Sequence, residues 1–178
     1  GFCAGADIKE SRGPESSIEV RRRMEQARWI EALDRIEKPI IAALHGYCMG
    51  GGMELALACD IRFAAPEAIF ALPETGLGLI PGGGGTQRLA RVIGPGRAMD
   101  ALLTGERYTA EQARDIGLVT RIASSAETLL QEVAEFATRI AVKPPLATLY
   151  VKRAARATAA PGAWARTVAL SGSARSGC

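Results

Sequence analysis

The spacing of apolar positions predicts an alternation of strands and helices. Residues 18–36 carry apolar side chains at three- and four-residue steps between arginines and glutamates, which predicts an amphipathic helix that ends before Pro39. Short apolar runs at 40–44, 60–65 and 69–72 predict buried strands. Such an alternation favours an α/β domain whose strands are largely buried.

Glycines and capping residues mark the boundaries of the later elements. A glycine-rich loop leads into a predicted helix within residues 82–93. Thr109 and Gln112 have the spacing of a capping box, and Gly117 is placed to end the helix that this box begins. The segment 118–122 then predicts another strand.

The last third of the chain is predicted to be helical. Ser124 and Glu127 have the spacing to cap one helix, and another helix follows a pair of prolines. We therefore assign residues 1–123 to an α/β core and residues 124–178 to a C-terminal helical region. From about residue 158 the tail has weak periodicity and many small side chains, so no helix is assigned there.

Composition narrows the possible classes of protein. With 178 residues, 48% hydrophobic and 23% charged, the chain can bury one sizeable core. A net charge of +3 suits a phosphate-bearing ligand without indicating nucleic acid. No apolar run reaches the roughly 18 residues of a membrane span, and no charged-then-apolar leader opens the sequence, which begins without methionine. The four cysteines lack C-x-x-C spacing and only one histidine accompanies them, so we expect no zinc site, no disulfide framework and a reducing compartment.

A triple glycine followed by an acid is the first candidate site. Residues 49–60 read MGGGMELALACD, and a helix that begins at Gly51 would present unpaired N–H groups and the positive end of its dipole. Glu54 lies one helical turn further on and can face the same side. Two interpretations stay open for Glu54: it acts beside an anion-binding helix end, or it only stabilises the helix dipole.

A second acid lies in a turn-rich stretch. Glu74 follows a proline in LPETGLGLIPGGGG, where a functional side chain or an ordinary surface glutamate would both fit. The glycines at 82–85 do not form a phosphate-binding P-loop, because Thr86 and Gln87 replace the required Lys and Ser/Thr. The stretch GLGLIPG also fails the dinucleotide pattern G-x-G-x-x-G.

Four segments in consecutive order resemble the enoyl-CoA hydratase/isomerase, or crotonase, family, and they cover about two-thirds of the chain. The resemblance implies a spiral of β-β-α units with a C-terminal helical region, acyl thioesters of coenzyme A as substrates, and assembly as a homotrimer or a pair of trimers. Coenzyme A would be part of the substrate, so neither a separate cofactor nor a metal is implied. The segments are FCAGADIKE (2–10), KPIIAALHGYCMGGGMELALACDIRFAA (38–65), LPETGLGLIPGGGGTQRLARVIG (72–94) and LTGERYTAEQARDIGLV (103–119).

The same resemblance assigns the catalytic groups. It implies an oxyanion hole made by the backbone N–H groups of Ala6 and Gly51. Glu54 and Glu74 match the two acids of family hydratases, whereas isomerases of the family generally keep only the second. Retention of both acids favours hydration of a 2-enoyl-CoA to a 3-hydroxyacyl-CoA, with Glu54 activating water and Glu74 chiefly protonating the α-carbon.

Further ligand contacts follow from the resemblance. The segment that begins at Ala4 is implied to curve around the adenine, using backbone carbonyls of Ala4 and Ala6. Lys9 could contact phosphate or could be an ordinary solvated lysine. Gly83 and Gly84 are expected to let their loop pack near Glu74 and support the helix that follows. The predicted coenzyme A segment comprises Ala4, Ala6, Asp7, Ile8 and Lys9.

Two departures from the family pattern, together with other family chemistries, define the alternatives. Family members begin some tens of residues earlier and end in an acidic, apolar helix, so we expect this chain to be a fragment. We expect the protein to be cytoplasmic or to lie in the mitochondrial matrix. An enoyl-CoA isomerase, a branched enoyl-CoA hydratase or a thioester hydrolase would use the same oxyanion hole. An RNA-binding module is not favoured, because aromatics make up only 5% and no basic stripe interleaves with them. A fragment without activity is the remaining alternative.

Overall fold

The computed structural model describes residues 1–7, 16, 18 and 29–157. Two 3₁₀ helices, Trp29–Arg35 and Glu74–Leu77, flank the first two pairs of strands. The strands are β1 (Ile41–Leu44), β2 (Tyr47–Met49), β3 (Ile61–Ala64), β4 (Ile69–Ala71), β5 (Tyr108–Thr109) and β6 (Arg121–Ile122). The helices are α1 (Gly51–Ala58), α2 (Gly85–Ile93), α3 (Pro95–Thr104), α4 (Ala110–Asp115), α5 (Leu129–Ala141) and α6 (Pro145–Ala157).

The first four strands alternate between two sheets. The first sheet has the order β1-β3-β6 and is parallel, with Leu44 opposite Ala64. In the second sheet β2 runs parallel to β4, with Met49 opposite Ala71, and β5 is antiparallel to β4. A helix follows the pair β1 and β2, which gives the β-β-α unit implied by the resemblance. The ends of β2 and β4 lie side by side, and the segments that follow them carry Glu54 and Glu74.

Two apolar clusters hold these layers together. Leu44 and Phe70 from the two sheets pack with Leu89 of α2 in the larger cluster. Phe63 and Leu129 belong to the smaller one, between β3 and the start of α5. Full burial of each such side chain contributes about 1.5–3 kcal/mol. The larger cluster encloses α1 and therefore fixes the helix on which Glu54 lies.

A buried arginine ends helix α1. The Arg62 guanidinium donates from Nε to the carbonyl oxygen of Leu118 at 2.6 Å and from Nη1 to that of Cys59 at 2.9 Å. The same Nη1 lies 3.4 Å from the carbonyl oxygen of Ala56. The last carbonyls of a helix lack intrahelical donors, so a cation at this end is favourable. Arg62 thus anchors α1 at the end opposite Glu54.

Helix α6 is attached to the core by charged side chains. Asp60, directly after α1, lies 2.8 Å from Lys152 Nζ and 2.8 Å from Arg156 Nη2. Its Oδ2 also accepts from the N–H of Ile40 at 2.7 Å. The Lys152 side chain is only 7% exposed. This cluster fixes the C-terminal helix against the chain just before β1 and just after α1.

Most predicted elements are present, and the corrections are local. The strands predicted at 40–44, 60–65 and 69–72 are β1, β3 and β4, and the capping box before α4 forms as predicted. The sequence-based assignment did not include β2, β5 or α3. Two of these are strands of two or three residues, too short to show alternation, and Gly94-Pro95-Gly96 obscured the start of the third.

Two helix predictions need correction. The predicted Ser124–Glu127 cap is wrong: α5 begins at Leu129, and the N–H of Ser124 donates to Glu132 at 2.9 Å. The N–H of Ser124 therefore has its hydrogen-bond acceptor on α5, at Glu132. Most of the helix predicted at 18–36 lies outside the described residues, and its described end is 3₁₀ rather than α. Within the described part of the chain, each helix is too short or too polar to cross a lipid bilayer.

Candidate active site

Glu54 is a buried carboxylate held by a second helix. It lies in the first turn of α1 with 5% of its surface exposed. Its Oε1 accepts a hydrogen bond of 2.9 Å from the backbone N–H of Gly85, the first residue of α2. This hydrogen bond fixes the orientation of the Glu54 carboxyl group between α1 and α2.

Glu74 differs from Glu54 in its surroundings. It is the first residue of the 3₁₀ helix Glu74–Leu77 and is partly buried. Its Oε2 is inaccessible to water and has no hydrogen-bond partner among the described residues. Burial raises the pKa of Glu74, a hydrogen bond from its own backbone N–H partly opposes this, and the charge of Glu54 adds a smaller increase. Glu74 thus keeps its proton to a higher pH than an exposed glutamate would.

The two acids meet at the N-terminal end of α1. Gly50, the N-cap residue, has φ +53°, and a β-carbon there would lie 3.4 Å from Oε1 of Glu74. The carbonyl oxygen of Gly50 in turn accepts from the N–H of Glu54 at 3.0 Å. The effect of the Glu54 charge on the pKa of Glu74 requires the same proximity. The carboxyl group of Glu74 therefore lies next to the first turn of α1, the turn that carries Glu54.

The segments carrying Ala6 and Gly51 also come together. Gly5 has φ +93°, and a β-carbon at Gly5 would lie 3.4 Å from the backbone nitrogen of Gly51. Gly51 is the first residue of α1, so its N–H has no intrahelical acceptor. Neither this N–H nor that of Ala6 donates to an acceptor among the described residues. Two backbone donors next to the carboxyl pair are thus available to an oxygen of a ligand.

The last two glycines of the triplet have different surroundings. A β-carbon at Gly52 would lie 2.1 Å from the carbonyl oxygen of Cys3, whereas one at Gly51 would meet nothing within 4 Å. Gly52 is needed because the backbone at Cys3 passes directly against the helix. The space that a β-carbon at Gly51 would occupy is therefore open.

The glycine-rich loop packs on Glu54. A β-carbon at Gly83 would lie 2.7 Å from Oε2 of Glu54 and 2.5 Å from Cδ1 of Ile30. Gly84 has φ +99° and is the N-cap of α2. The loop thus leads directly into α2, and the carboxyl group against which Gly83 packs is that of Glu54, whereas Glu74 was the expected neighbour. Ile30, which is 4% exposed, adds an apolar wall next to this carboxylate.

The predicted coenzyme A segment is described in part. Ala4, Ala6 and Asp7 are exposed and lie at the same end of α1 as the two acids. Ile8 and Lys9 lie outside the described residues, so their assignment stays a prediction. The described residues contain no group of three or more His, Cys, Asp or Glu side chains that could hold a metal ion.

Sequence reasoning missed three contributors to the site. These are the N–H of Gly85, the close packing of Gly52 on Cys3, and the apolar contact of Ile30 with Gly83. Each joins segments that are far apart in the chain. The runs GGG and GGGG were the available signal, because several adjacent glycines indicate close backbone approach.

The chain is similar in sequence to known proteins. Residues 1–171 match the family described as enoyl-CoA hydratase/isomerase. A crotonyl-CoA hydratase of Syntrophomonas wolfei is 46% identical over 158 residues, which is 86% of this chain and 59% of that protein. A mitochondrial enoyl-CoA hydratase of Pongo abelii is 42% identical over 156 residues, 88% of this chain and 53% of that protein. The chain thus spans little more than half the length of these curated relatives.

A solved structure extends the likeness to the fold. The crystal structure of an enoyl-CoA hydratase from Bacillus anthracis superposes with a TM-score of 0.87 at 39% identity, covering 99% of this chain and 67% of that one. The α/β architecture and the resemblance stated from the sequence are confirmed by these matches. Both the sequence match over residues 1–171 and the shared fold show that the chain belongs to the enoyl-CoA hydratase/isomerase family.

Proposed function

We propose that this chain carries the catalytic groups for hydration of a 2-enoyl-CoA thioester to a 3-hydroxyacyl-CoA. The observation that carries the proposal is a pair of dissimilar carboxyl groups at the N-terminal end of α1. Glu54 is buried and accepts from Gly85, whereas Glu74 has a buried oxygen without a partner among the described residues. A buried polar atom without a partner calls for a functional explanation, and a reacting water or substrate supplies one.

The backbone donors would stabilise the charge that develops during the reaction. Attack of water on C3 of the enoyl group moves negative charge onto the thioester oxygen. The N–H groups of Ala6 and Gly51 are available to bind that oxygen, and the dipole of α1 has its positive end there. Loss of one such donor costs about 3–4 kcal/mol of transition-state stabilisation in other enzymes. The open space beside Gly51 supports this position for the thioester.

The surroundings of the two acids suit different roles. Glu54, held in place by the N–H of Gly85, would accept the proton of the attacking water. Glu74, whose pKa is raised by burial and by Glu54, would donate its proton to C2. The oxygen of water joins C3, so the product gains one water in total. Proton exchange with solvent then restores both acids.

Binding of coenzyme A and assembly of subunits complete the proposal. The adenine would lie along the segment Ala4–Asp7, which is exposed next to the donors. Homotrimers or pairs of trimers would cover apolar side chains that the described surface leaves exposed. Leu79, Ile80 and Leu103, for example, are 61%, 75% and 68% exposed. Such large exposed apolar side chains are frequent where a subunit interface forms.

Single replacements of the acids test the proposal. Glu54→Gln and Glu74→Gln should each lower kcat for crotonyl-CoA about 10²–10⁴-fold, since each removes one proton-transfer group. The assay follows the loss of enoyl thioester absorbance. Glu67→Gln, at an exposed glutamate between β3 and β4, is the matched control and should retain the parent rate. Rates within a few-fold of the parent for both site variants, with folding verified by circular dichroism, would exclude this use of the two acids.

A further inference from the structure

Two cysteines lie opposite each other next to the site. Cys3 and Cys48 are partners in a parallel β-bridge. The N–H of Cys3 donates to the carbonyl oxygen of Tyr47 at 3.1 Å, and the carbonyl oxygen of Cys3 accepts from the N–H of Met49 at 3.0 Å. Because side chains directly opposite in neighbouring strands project to the same face, the two thiols lie side by side. Both thiols are free, as is that of Cys59.

The backbone geometry permits a bond between these two thiols. Neighbouring strands are about 4.7–4.9 Å apart, and disulfides join Cα atoms that are about 4.4–6.8 Å apart. The Cβ atoms of a disulfide lie closer, at about 3.8 Å. A disulfide between these cysteines therefore fits the strand spacing, and its shorter Cβ separation would draw the two segments slightly closer together.

The two thiols differ in access. Cys3 is partly exposed, whereas Cys48 is fully buried. The Cys48 thiol donates to the carbonyl oxygen of Gly52 at 3.6 Å. Burial, followed by the neighbouring Cys3 and Cys59, raises the pKa of Cys48 to about 12. Cys3 is thus the thiol that an oxidant in solution reaches, and Cys48 is the resolving thiol behind it.

We propose that Cys3 and Cys48 form a reversible disulfide by exchange with a low-molecular-weight disulfide of the glutathione class. The Cys3 thiolate first attacks one sulfur of oxidised glutathione, whose S–S bond breaks and releases one glutathione thiolate. The Cys48 sulfur then attacks the Cys3 sulfur and releases the second glutathione, and the proton of the Cys48 thiol passes to the departing glutathione thiolate. Two electrons pass from the cysteine pair to one molecule of oxidised glutathione.

The position of this bond links it to the active site. Ala6 and Gly51 each lie three residues after one of the paired cysteines. Drawing Cys3 and Cys48 together would therefore move the two segments that present the proposed oxyanion donors. This consequence rests on the proposed function, whereas formation of the disulfide does not. We expect the oxidised chain to lose at least tenfold in kcat and to recover after reduction.

Peptide mapping of the full chain tests the bond itself. The chain is incubated with oxidised glutathione, quenched with acid, alkylated and digested with trypsin. Trypsin leaves Cys3 on peptide 1–9 and both Cys48 and Cys59 on peptide 36–62, since Lys38 precedes a proline. The expected product is a linked pair of these peptides, lighter by two hydrogens, whose fragment ions place the link at Cys48. Dithiothreitol should abolish it.

Serine variants separate the possible outcomes. Cys59→Ser should retain the link, whereas Cys3→Ser and Cys48→Ser should abolish it. Serine at position 48 keeps a donor for the carbonyl of Gly52, and Cys3 is partly exposed, so both variants should fold. A reaction that stops at a glutathione adduct on Cys3, or a link that maps to Cys59, would overturn the proposal. Neither result depends on whether the chain hydrates enoyl thioesters.

Discussion

Replacement of Gly52 by alanine should be strongly destabilising, because of where the backbone of Cys3 lies. The added β-carbon would lie 2.1 Å from the carbonyl oxygen of Cys3 and 2.7 Å from its Cβ. Carbon and oxygen atoms that are not bonded rarely approach closer than about 3.3 Å. Since the obstacle is backbone paired with Tyr47 and Met49, it cannot rotate away. One of the two segments must therefore move by about 1 Å.

The magnitude follows from the cost of overpacking. Extra methylene groups in a packed interior typically cost about 1–3 kcal/mol, and a backbone obstacle places Gly52→Ala at the upper end, near 3 kcal/mol. The intrinsic gain from glycine to alanine in a helix is about 1 kcal/mol and does not offset this. For a chain of this length, a loss of about 3 kcal/mol lowers Tm by roughly 6–12 °C.

Gly51→Ala is the matched control for this prediction. A β-carbon at position 51 meets nothing within 4 Å and its φ is not positive, so the free energy of unfolding should be unchanged or slightly raised. Urea titrations of parent and both variants, followed by circular dichroism, measure the difference. If the free energies of unfolding of Gly52→Ala and Gly51→Ala differed by less than about 0.5 kcal/mol, the close contact of Gly52 with Cys3 would be refuted.

Two further predictions concern charged groups. Burial, with a smaller effect of the Glu54 charge, raises the pKa of Glu74 in the folded chain. The protonated Glu74 side chain therefore contributes its full stability below the pKa of the unfolded chain, about 4.5, and this contribution is lost as pH rises through the folded pKa. Urea titrations from pH 4 to 7 should therefore show the parent losing stability relative to Glu74→Gln, and a constant difference would contradict the raised pKa. Asp60→Asn should cost about 2–3 kcal/mol, because it weakens the pair with the nearly buried Lys152. The matched control is Asp115→Asn, which removes an exposed ion pair with Arg114 and should change the free energy of unfolding by less than about 1 kcal/mol. Equal losses of stability in the Asp60 and Asp115 variants would contradict the role given to burial.

Local chemistry explains why much of the fold was predictable. Apolar runs marked β1, β3 and β4, and Thr109 with Gln112 formed the expected cap, because both signals depend on neighbours within a few residues. The predicted cap at Ser124 failed because Glu132, five residues beyond the expected partner Glu127, accepts from the same N–H. Which of two nearby glutamates accepts from the N–H of Ser124 depends on how the start of α5 packs, and the spacing of residues does not show this.

The sequence by itself determined which residues are candidates for the site. These are the glycine runs, which allow close backbone approach, and two acids, Glu54 after the first run and Glu74 in a turn-rich stretch. The tertiary structure alone decided their relation. It brings Glu54 to Gly85 across 31 residues, leaves Oε2 of Glu74 without a partner among the described residues, and sets Cys3 opposite Cys48. Such contacts depend on how whole layers pack, because side-chain pairing over long separations follows from burial of the core and not from local spacing.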